Sequence, residues 1–430
     1  MSDLRPRQRG PVRQPPIARH GMLRRSHAWA TAGKILAATL AVLIVSGTSV
    51  AAFAVLDVAS SIKPGVNLIG ATDGPPPSIG ATEGEINFLI AASDSGGGDV
   101  AAYGKRGEHL NDVTMLVHVS ADHKRATVVS FPRDMIVPIA SCPNGKGGNF
   151  PAQTNKINTA LTYGGLPCIV KTVENLTGMT IPYAALTEFQ GVVGMSNAVG
   201  GVTVCVATPI HDLQIPFNLD AGQQTLVGSQ AVQFLRVRYG LGDGSDLGRI
   251  SNQQLFLSAL VRKIKTPETL GNPLTVYALA KAAAANMTLS SSLANIGTMA
   301  SMAVAVKNIP FQDVVFVQYP TVYGSLSGYN GVLPVPSAAR VLFDALKSDQ
   351  PIALTGSTGV GTKVGPTTPA APAAPPASAA PPASAAPTVA APTASADPSA
   401  PASGPVVELP SAIQGQTAAE QTCTKGQRAG

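Results

Sequence analysis

Three apolar stretches in the middle of the chain decide its fold class: INFLIAA (residues 86–92), VTMLVHVS (113–120) and RATVVSFP (125–132). Each is short, rich in β-branched residues and bounded by turn-forming residues, which is typical of strands. GVTVCVATP (201–209) and DVVFVQYP (313–320) have the same character and predict two further strands.

Helical patterns separate these strands. In LPCIVKTVENLTG (166–178) apolar residues recur every three or four positions and a glycine follows, which predicts an amphipathic helix. DLGRISNQQLFLSALVRKI (246–264) and SAARVLFDALKSD (337–349) predict others, with two more near residues 273–285 and 290–306. Strands mixed with helices over this length predict one layered α/β/α domain with a central mixed sheet, spanning residues 85–349.

The N-terminal region predicts a membrane anchor. Residues 1–34 carry eight of the chain's 30 basic residues and one of its 24 acidic residues, so the remainder, with 22 basic and 23 acidic residues, is almost neutral. The next 22 residues, 35–56, contain no charge and are long enough to span a bilayer as a helix. Arginines before the span place the N-terminus in the cytoplasm and the domain outside. A cleaved signal peptide is the alternative, because Ala52-Phe53-Ala54 resembles a cleavage site.

The charge distribution excludes the usual argument for nucleic-acid binding, since the net charge of +6 comes entirely from the cytoplasmic tail. Residues 57–84 are predicted to form a stalk. Residues 350–430 are predicted to be a disordered tail, because residues 367–405 are mostly Pro, Ala, Ser and Thr, with Asp397 as the one charged residue. The tail's last residues, from Cys423 onward, are expected to be exposed.

Four cysteines lie on the outer side of this topology, where disulfides are permitted. Cys142 and Cys168 flank one polar loop and are the expected pair. Cys205, in an apolar strand, is also consistent with a small buried residue. No C-x-x-C pair occurs, so zinc and thioredoxin-like sites are not indicated.

Two carboxylates are predicted at the ends of adjacent strands. Asp94 follows the first strand and Asp112 begins the second. Together they suit one hard cation whose remaining ligands are water and substrate oxygens.

A group of arginines predicts a polyanion site. Arg133 follows a strand, and Arg236 and Arg238 are two residues apart, so that in an extended chain they point to one side. Arg249 shares a helical face with two further residues, Asp246 and Gln253. Several arginines without matching acids favour an anion of more than one charge. The glycine-rich loop before this helix lacks the Gly-Lys-Ser/Thr ending of a nucleotide P-loop.

Each feature alone also has an ordinary structural explanation. An isolated charge near a strand end is commonly a solvated loop residue, Arg236 and Arg238 suit surface ion pairs, and Asp246 with Arg249 suits an i,i+3 helix pair. No G-x-S-x-G motif supports a serine esterase. The residues themselves therefore indicate an extracytoplasmic α/β domain that binds a metal ion and a polyanion.

Six segments in order make a more specific pattern: NFLIAASDS, NDVTMLVHVS, VVSFPRDM, NKINTALTYGG, LVGSQAVQFLRVR and DGSDLGRISNQQ. In these segments the chain resembles the LytR-CpsA-Psr family of cell-wall ligases. The resemblance implies a magnesium-dependent phosphotransferase, with Mn²⁺ as an alternative ion. Its expected partners are a polyprenyl-pyrophosphate-linked glycan, whose glycan phosphate is transferred to a peptidoglycan hydroxyl, and the membrane that holds residues 35–56. No nucleic-acid partner is expected.

The resemblance also assigns residues. Asp94 and Asp112 match the magnesium ligands; the other matching positions divide into a catalytic group, Arg133, Asp246 and Arg249, and a substrate-binding group, Lys156, Arg236, Arg238 and Gln253. The segments EFQGVVGMSNAVGG (188–201) and LFLSALV (255–261) are expected either to line a lipid cavity or to pack in the core. Asn252 departs from the arginine that the family often has at this position.

Two other functions remain open from the sequence. A polyprenyl-pyrophosphate pyrophosphatase would use the same arginines with water as the acceptor. A non-catalytic lipid-binding scaffold of wall assembly would use the site for binding alone.

Overall fold

The structure is a computed structural model that describes residues 28–70, 84–93, 110–212, 214–215, 217–365 and 405–426. Its helices are α1 (Ala28–Ser61), α2 (Ala160–Thr177), α3 (Phe189–Ala198), α4 (Ser229–Arg236), α5 (Asp246–Ile264), α6 (Pro267–Leu270), α7 (Pro273–Asn286), α8 (Ile296–Lys307) and α9 (Pro336–Lys347). Its first strands are β1 (Ile86–Ser93), β2 (Asn111–Val119), β3 (Ala126–Phe131), β4 (Ile136–Ile139), β5 (Cys142–Pro143), β6 (Asn149–Phe150), β7 (Gln153–Lys156) and β8 (Tyr183–Glu188).

The remaining strands are β9 (Val202–Val206), β10 (Ile210–Asp212), β11 (Phe217–Leu219), β12 (Gly222–Leu226), β13 (Met287–Leu289), β14 (Val314–Gln318), β15 (Thr321–Leu326), β16 (Tyr329–Pro334), β17 (Ile352–Ala353), β18 (Thr362–Val364), β19 (Val407–Glu408), β20 (Gly415–Thr417) and β21 (Thr422–Thr424). Seven of the 21 strands form the central sheet, in the order β13-β8-β1-β2-β3-β14-β20. β1 pairs antiparallel with β2 and parallel with β8, so the predicted mixed sheet is confirmed.

Helices cover both faces of this sheet, as predicted. Because side chains alternate along a strand, neighbouring residues of one strand enter different cores. Leu89 and Val129 pack in the core that includes residues of α2 and α9. Val128 and Phe316 pack on the other face, where Leu257 of α5 lies against them. The architecture is therefore a layered α/β/α domain.

A second sheet lies beside the first, in the order β12-β9-β21-β18. Its strand β21 comes from the C-terminal segment, and Cys423 on it forms a disulfide with Cys205 on β9. The prediction of a disordered tail over residues 350–430 is therefore wrong for residues 350–365 and 405–426. A third strand of these residues, β20, extends the central sheet by pairing with β14.

The four cysteines form two disulfides, and part of the predicted stalk packs on the domain. The expected disulfide between Cys142 and Cys168 is confirmed, whereas Cys205 is bonded rather than a free buried residue. Part of the predicted stalk packs on the domain: Val66 forms a bridge with Ser290, and Leu68 is buried. Burial of Leu68 stabilises this contact, because removing apolar surface from water lowers the free energy of the folded chain.

The N-terminal helix α1 has an apolar stretch, Thr31–Ser61, that includes the predicted span at residues 35–56. Within the described ranges it is the one helix both long and apolar enough to cross a membrane.

Candidate functional site

Three elements bring charged residues to one edge of the central sheet. Asp112 lies near the start of β2, Arg133 follows β3, and Asp246 and Arg249 lie in the first turns of α5. Ser245 begins this helix as its N-cap, because its hydroxyl accepts a hydrogen bond from the amide of Gly248 at 3.2 Å. The acidic side chain of Asp246 in the first turn also suits the positive end of the helix dipole.

The two carboxylates hold the two arginines between them. Asp246 Oδ1 is 3.0 Å from Arg249 Nη2 and 3.7 Å from Arg133 Nε. Asp246 Oδ2 accepts the backbone N–H of Arg133 at 3.2 Å. Asp112 Oδ1 pairs with Arg133 Nη1, and it lies 3.7 Å from Arg249 Nη2. The structure thus brings these four predicted site residues together.

This surrounding fixes the charge of Arg133. Burial alone would lower the pKa of its guanidinium, but the negative charges of Asp112 and Asp246 outweigh burial, and the pKa is raised. Arg133 therefore carries its full positive charge at every physiological pH.

Four arginines face one cavity of about 250 Å³. They are Arg133, Arg249, Arg236 and Arg238, and the acidic residues of its lining are Asp112 and Asp212. The cavity therefore has an excess of positive charge, which suits an anion with more than one negative charge.

The backbone that carries Arg236 and Arg238 differs from the predicted extended segment. They were expected in one extended segment, but Arg236 is the last residue of α4 and the extended chain begins at Val237. The guanidinium of Arg236 lies 4.9 Å from the centre of the Phe189 ring, a cation–π contact that helps to orient it.

Asp212 is a site residue that the sequence did not reveal. Its Oδ2 accepts the backbone amides of Arg238 at 3.0 Å and of Tyr239 at 3.1 Å, and its Oδ1 accepts that of Gln214 at 2.9 Å. This buried carboxylate also accepts the amide of Ile215 at 3.4 Å, and together these bonds hold the backbone of Arg238 in place. No residue spacing signals such a contact, because it joins a side chain to a backbone 26 residues away.

Gln253 and Asn252 cap the end of α4. Asn252 Nδ2 donates to the carbonyl of Phe234 at 2.8 Å, and Gln253 Nε2 donates to that of Leu235 at 3.2 Å. The last carbonyls of a helix lack partners within the helix, so these amides stabilise the turn that carries Arg236. Gln253 thus positions Arg236 through the backbone. Asn252, which stands where the family often has arginine, has the same role.

Lys156 lies in a different cavity from the one expected. Its Nζ pairs with Asp134 Oδ1 at 3.2 Å, and it lines a groove of about 560 Å³ beside the arginine cavity. Arg238 lines both spaces. Lys156 therefore does not line the same cavity as the other residues predicted to bind pyrophosphate, and Arg238 is the one of them that lines both spaces.

A third, apolar cavity of about 50 Å³ shares Arg236 and Arg249 with the arginine cavity. Phe189 and Val192 of the expected lipid segment line it, together with Val232 and Leu235 of α4. The second expected segment does not line it: Leu255 and Phe256 are buried in the core instead. Packing was the alternative given for that segment.

The predicted metal site is partly outside the described residues, because Asp94 lies there. Among the residues that the structure does describe, no cluster of three or more His, Cys, Asp or Glu side chains forms a closed metal site. Asp112 borders the arginine cavity, whereas Asp246 Oδ1 is engaged by Arg249 Nη2 at 3.0 Å. One or two carboxylates completed by phosphate oxygens and water are the usual ligands of Mg²⁺, so this donor set fits the ion.

Fold and site together define a class: a layered α/β protein with four arginines around one cavity. The chain matches the model of the LytR_cpsA_psr family over residues 62–339, and it belongs to that family. The cell wall biosynthesis protein LcpA of Corynebacterium glutamicum is 29% identical over 267 residues, which cover 56% of this chain and 51% of that protein.

A second relative is the polyisoprenyl-teichoic acid–peptidoglycan teichoic acid transferase TagU of Enterococcus faecalis, 28% identical over 174 residues, or 40% of this chain and 54% of that protein. The chain thus spans about half the length of the curated relatives it matches. The crystal structure of protein gbs0355 from Streptococcus agalactiae has a TM-score of 0.52 and 22% identity, and covers 62% of this chain and 88% of that one. This likeness supports the fold.

Proposed function

We propose that the protein transfers a glycan phosphate from a polyprenyl-pyrophosphate carrier to a hydroxyl group of peptidoglycan. The observation that carries this proposal is the convergence of four arginines on one cavity of about 250 Å³. Membership of the family supports it, as do the names of two relatives, a cell wall biosynthesis protein and a transferase of teichoic acid to peptidoglycan.

In this reaction the acceptor hydroxyl oxygen forms a bond to the phosphorus that carries the glycan. The bond from that phosphorus to the bridging oxygen breaks, polyprenyl phosphate leaves with the bonding electrons, and the hydroxyl proton is lost to a base or to water. Such transfers depend mainly on positioning and on neutralising charge. Arg133 and Arg249 are held by two carboxylates before substrate arrives, so they stabilise the transferring phosphate without reorganisation.

The second pair of arginines binds the carrier. Arg236, at the boundary between the arginine cavity and the apolar cavity, suits the phosphate nearest the lipid. The apolar side chains of Phe189 and Leu235 beside it suit the first carbons of the polyprenyl chain.

A magnesium ion, with manganese as the alternative, would be held by Asp112 and by Asp94. When bound, the ion would neutralise charge on the pyrophosphate oxygens and polarise them. Asp112 also pairs with Arg133 through Oδ1.

The apolar helix is proposed to anchor the protein with its N-terminus in the cytoplasm and the domain outside. The eight basic residues among the first 34 favour this orientation. Carrier lipid and enzyme would then share one membrane surface.

Arg133→Ala tests the proposal, with Arg340→Ala as a matched control because Arg340 is exposed on α9 and is not a lining residue of the three cavities. Full-length protein in detergent is mixed with a lipid-pyrophosphate glycan, uncrosslinked peptidoglycan and Mg²⁺. We expect Arg133→Ala to lower transfer by about 10²- to 10³-fold, the loss seen when one transition-state donor is removed. Arg340→Ala should behave as wild type.

The products separate the remaining functions. Free glycan phosphate without wall-linked product would identify a pyrophosphatase. Tight binding of the carrier with no cleavage would identify a scaffold. Normal transfer by Arg133→Ala would show that the site is wrongly assigned.

A further inference from the structure

The groove beside the arginine cavity has walls from two parts of the chain. One wall is the two-stranded sheet of β15 and β16, hereafter the hairpin, which contributes Tyr323, Ser325 and Asn330. The other wall carries Asp134 and Lys156 together with the first turn of α5. At about 560 Å³ the groove is the larger space, and its mouth is open to solvent at the exposed hairpin.

The three cavities lie in sequence. Arg236 and Arg249 line both the apolar and the arginine cavities, and Arg238 lines both the arginine cavity and the groove. Among the residues that the structure describes, none lines both the apolar cavity and the groove. A displacement at phosphorus places the attacking and leaving oxygens roughly in line, on opposite sides. If the lipid leaves toward the apolar side, the attacking hydroxyl arrives from the groove.

The charges of the groove differ from those of the arginine cavity. The charged side chains in its lining are two acids, Asp134 and Asp246, and two bases, Lys156 and Arg238. Asp134 and Lys156 pair with each other at 3.2 Å. In the described part of the chain the lining therefore has no excess charge, and it suits a neutral polar ligand better than a second phosphate.

Its other groups suit a sugar. Tyr323 is 65% exposed, so its ring offers an open apolar face with a hydroxyl at the rim. On the same face of the hairpin, Ser325 Oγ and Asn330 Oδ1 lie 2.6 Å apart and present hydrogen-bonding groups to the groove. An aromatic face beside paired polar groups matches the apolar face and the hydroxyls of a pyranose ring.

The hairpin is fixed to the loop that carries Arg133. The amide of Val332 donates to the carbonyl of Asp134 at 3.2 Å, and Met135 forms a bridge with Val332. Gly331 passes so close that a Cβ there would lie 2.2 Å from the Asp134 carbonyl oxygen. A ligand that rests on Tyr323 is therefore held at a set distance from the arginine.

We propose that this groove binds the acceptor saccharide, a segment of peptidoglycan glycan, with Tyr323 as its stacking platform. The proposal rests on the proposed transfer function and adds to it the place and the residues of the second substrate. Asp134, beside the bound sugar, accepts a hydrogen bond from one of its hydroxyls.

The test compares Tyr323→Ala with Tyr329→Ala in the full-length protein in detergent. Both tyrosines belong to the hairpin, but Tyr329 lies outside the lining of the groove and points to the opposite face. A soluble, uncrosslinked peptidoglycan oligosaccharide is titrated at saturating lipid-pyrophosphate glycan. We expect Tyr323→Ala to raise the acceptor KM about tenfold, the effect of losing one aromatic contact of about 1.4 kcal/mol. The Kd of the donor should be unchanged, and Tyr323→Phe should retain the wild-type KM.

Three results would overturn the proposal: an unchanged acceptor KM, an equal increase in Tyr329→Ala, or a loss confined to donor binding. The last result would assign the groove to the sugar of the donor. Direct calorimetric titration of the same oligosaccharide separates this proposal from the transfer reaction. In one outcome, wild type binds the oligosaccharide without transferring glycan to it, while Tyr323→Ala binds it tenfold less tightly. That result would support the groove as the saccharide site and refute the proposed transfer function. If wild type does not bind it, the groove is wrongly assigned.

Discussion

Asp246→Asn removes one charge from the centre of the site and leaves its shape almost intact. The carboxylate is 7% exposed and contacts Arg249 Nη2 at 3.0 Å and Arg133 Nε at 3.7 Å. Asparagine can still accept the backbone N–H of Arg133 through its amide oxygen. The substitution therefore tests the charge of Asp246 rather than its volume.

The size of the effect follows from these contacts. At an effective dielectric constant of about 20, each pair has a gross attraction on the order of 5 kcal/mol, most of which offsets the cost of removing the ions from water. Removing one member of a buried pair typically costs about 3–5 kcal/mol. Asp112 still faces both arginines, so we expect the lower end, about 3 kcal/mol of unfolding free energy.

The effect on catalysis should be larger than that on binding. With one carboxylate for two arginines, Arg249 loses its nearest partner and its position at the transferring phosphate. We expect kcat to fall by about 10²- to 10³-fold, the cost of one misplaced stabilising donor, while the Kd of the lipid-pyrophosphate glycan changes less than tenfold. Urea unfolding, transfer kinetics and carrier binding measure the three quantities.

Asp243→Asn is the matched control. Asp243 is an exposed acid in the loop just before α5, and it accepts a hydrogen bond from the amide of Ser245 at 2.9 Å. Asparagine can accept the same bond. This variant should keep wild-type kinetics. If Asp246→Asn retained kcat within threefold of wild type, the idea that its charge positions the arginines would be refuted.

Three further predictions concern stability and metal. Cys423→Ser should lower the unfolding free energy by about 2–5 kcal/mol, because it releases the C-terminal segment from Cys205; urea unfolding as stable as wild type would contradict this. Burial lowers the pKa of His118 from 6.5 to about 4, so the unfolded chain takes up the proton first as pH falls, and about 3 kcal/mol of stability should be lost between pH 6.5 and 4; His118→Gln should flatten this part of the pH profile of stability. Chelation by EDTA should stop transfer and Mg²⁺ restore it, with Asp112→Asn needing more Mg²⁺ for half-maximal rate; an unchanged requirement would remove Asp112 from the proposed metal site.

Much of the fold was readable because strong local patterns decide it. The strands β1 to β3 and the helix α5 have the periodicity of their class, and the structure confirms them. The hairpin was missed, although Ser327 and Gly328, with φ of 53° and 81°, form the two-residue turn that favours tight antiparallel pairing.

The C-terminal strands could not be read in the same way. β18, β20 and β21 have three residues each, too few to establish a period, and a long Pro/Ala-rich stretch separates the first from the others. What holds them is pairing with distant strands and one disulfide whose connectivity four cysteines leave open. Such long-range contacts are not encoded in local spacing.

The candidate site also contains residues that the sequence revealed and residues that it did not. Arg133, Arg249 and Asp112 stood out because charges at strand ends and helix starts are few in this domain. Asp212 and Asn252 did not, because each acts on the backbone of a distant residue. Buried polar side chains of this kind are recognised from hydrogen bonds in three dimensions and leave little trace in one sequence.

Detection of the covalent product tests the proposed transfer most directly. Full-length protein is incubated with Mg²⁺, uncrosslinked peptidoglycan and a polyprenyl-pyrophosphate glycan labelled in the sugar, and the peptidoglycan is then digested and analysed by mass spectrometry. We expect a muropeptide joined to the labelled glycan through one phosphate, formed with release of polyprenyl phosphate and absent with Arg133→Ala. Label recovered only as free glycan phosphate, or only in intact carrier, would contradict it.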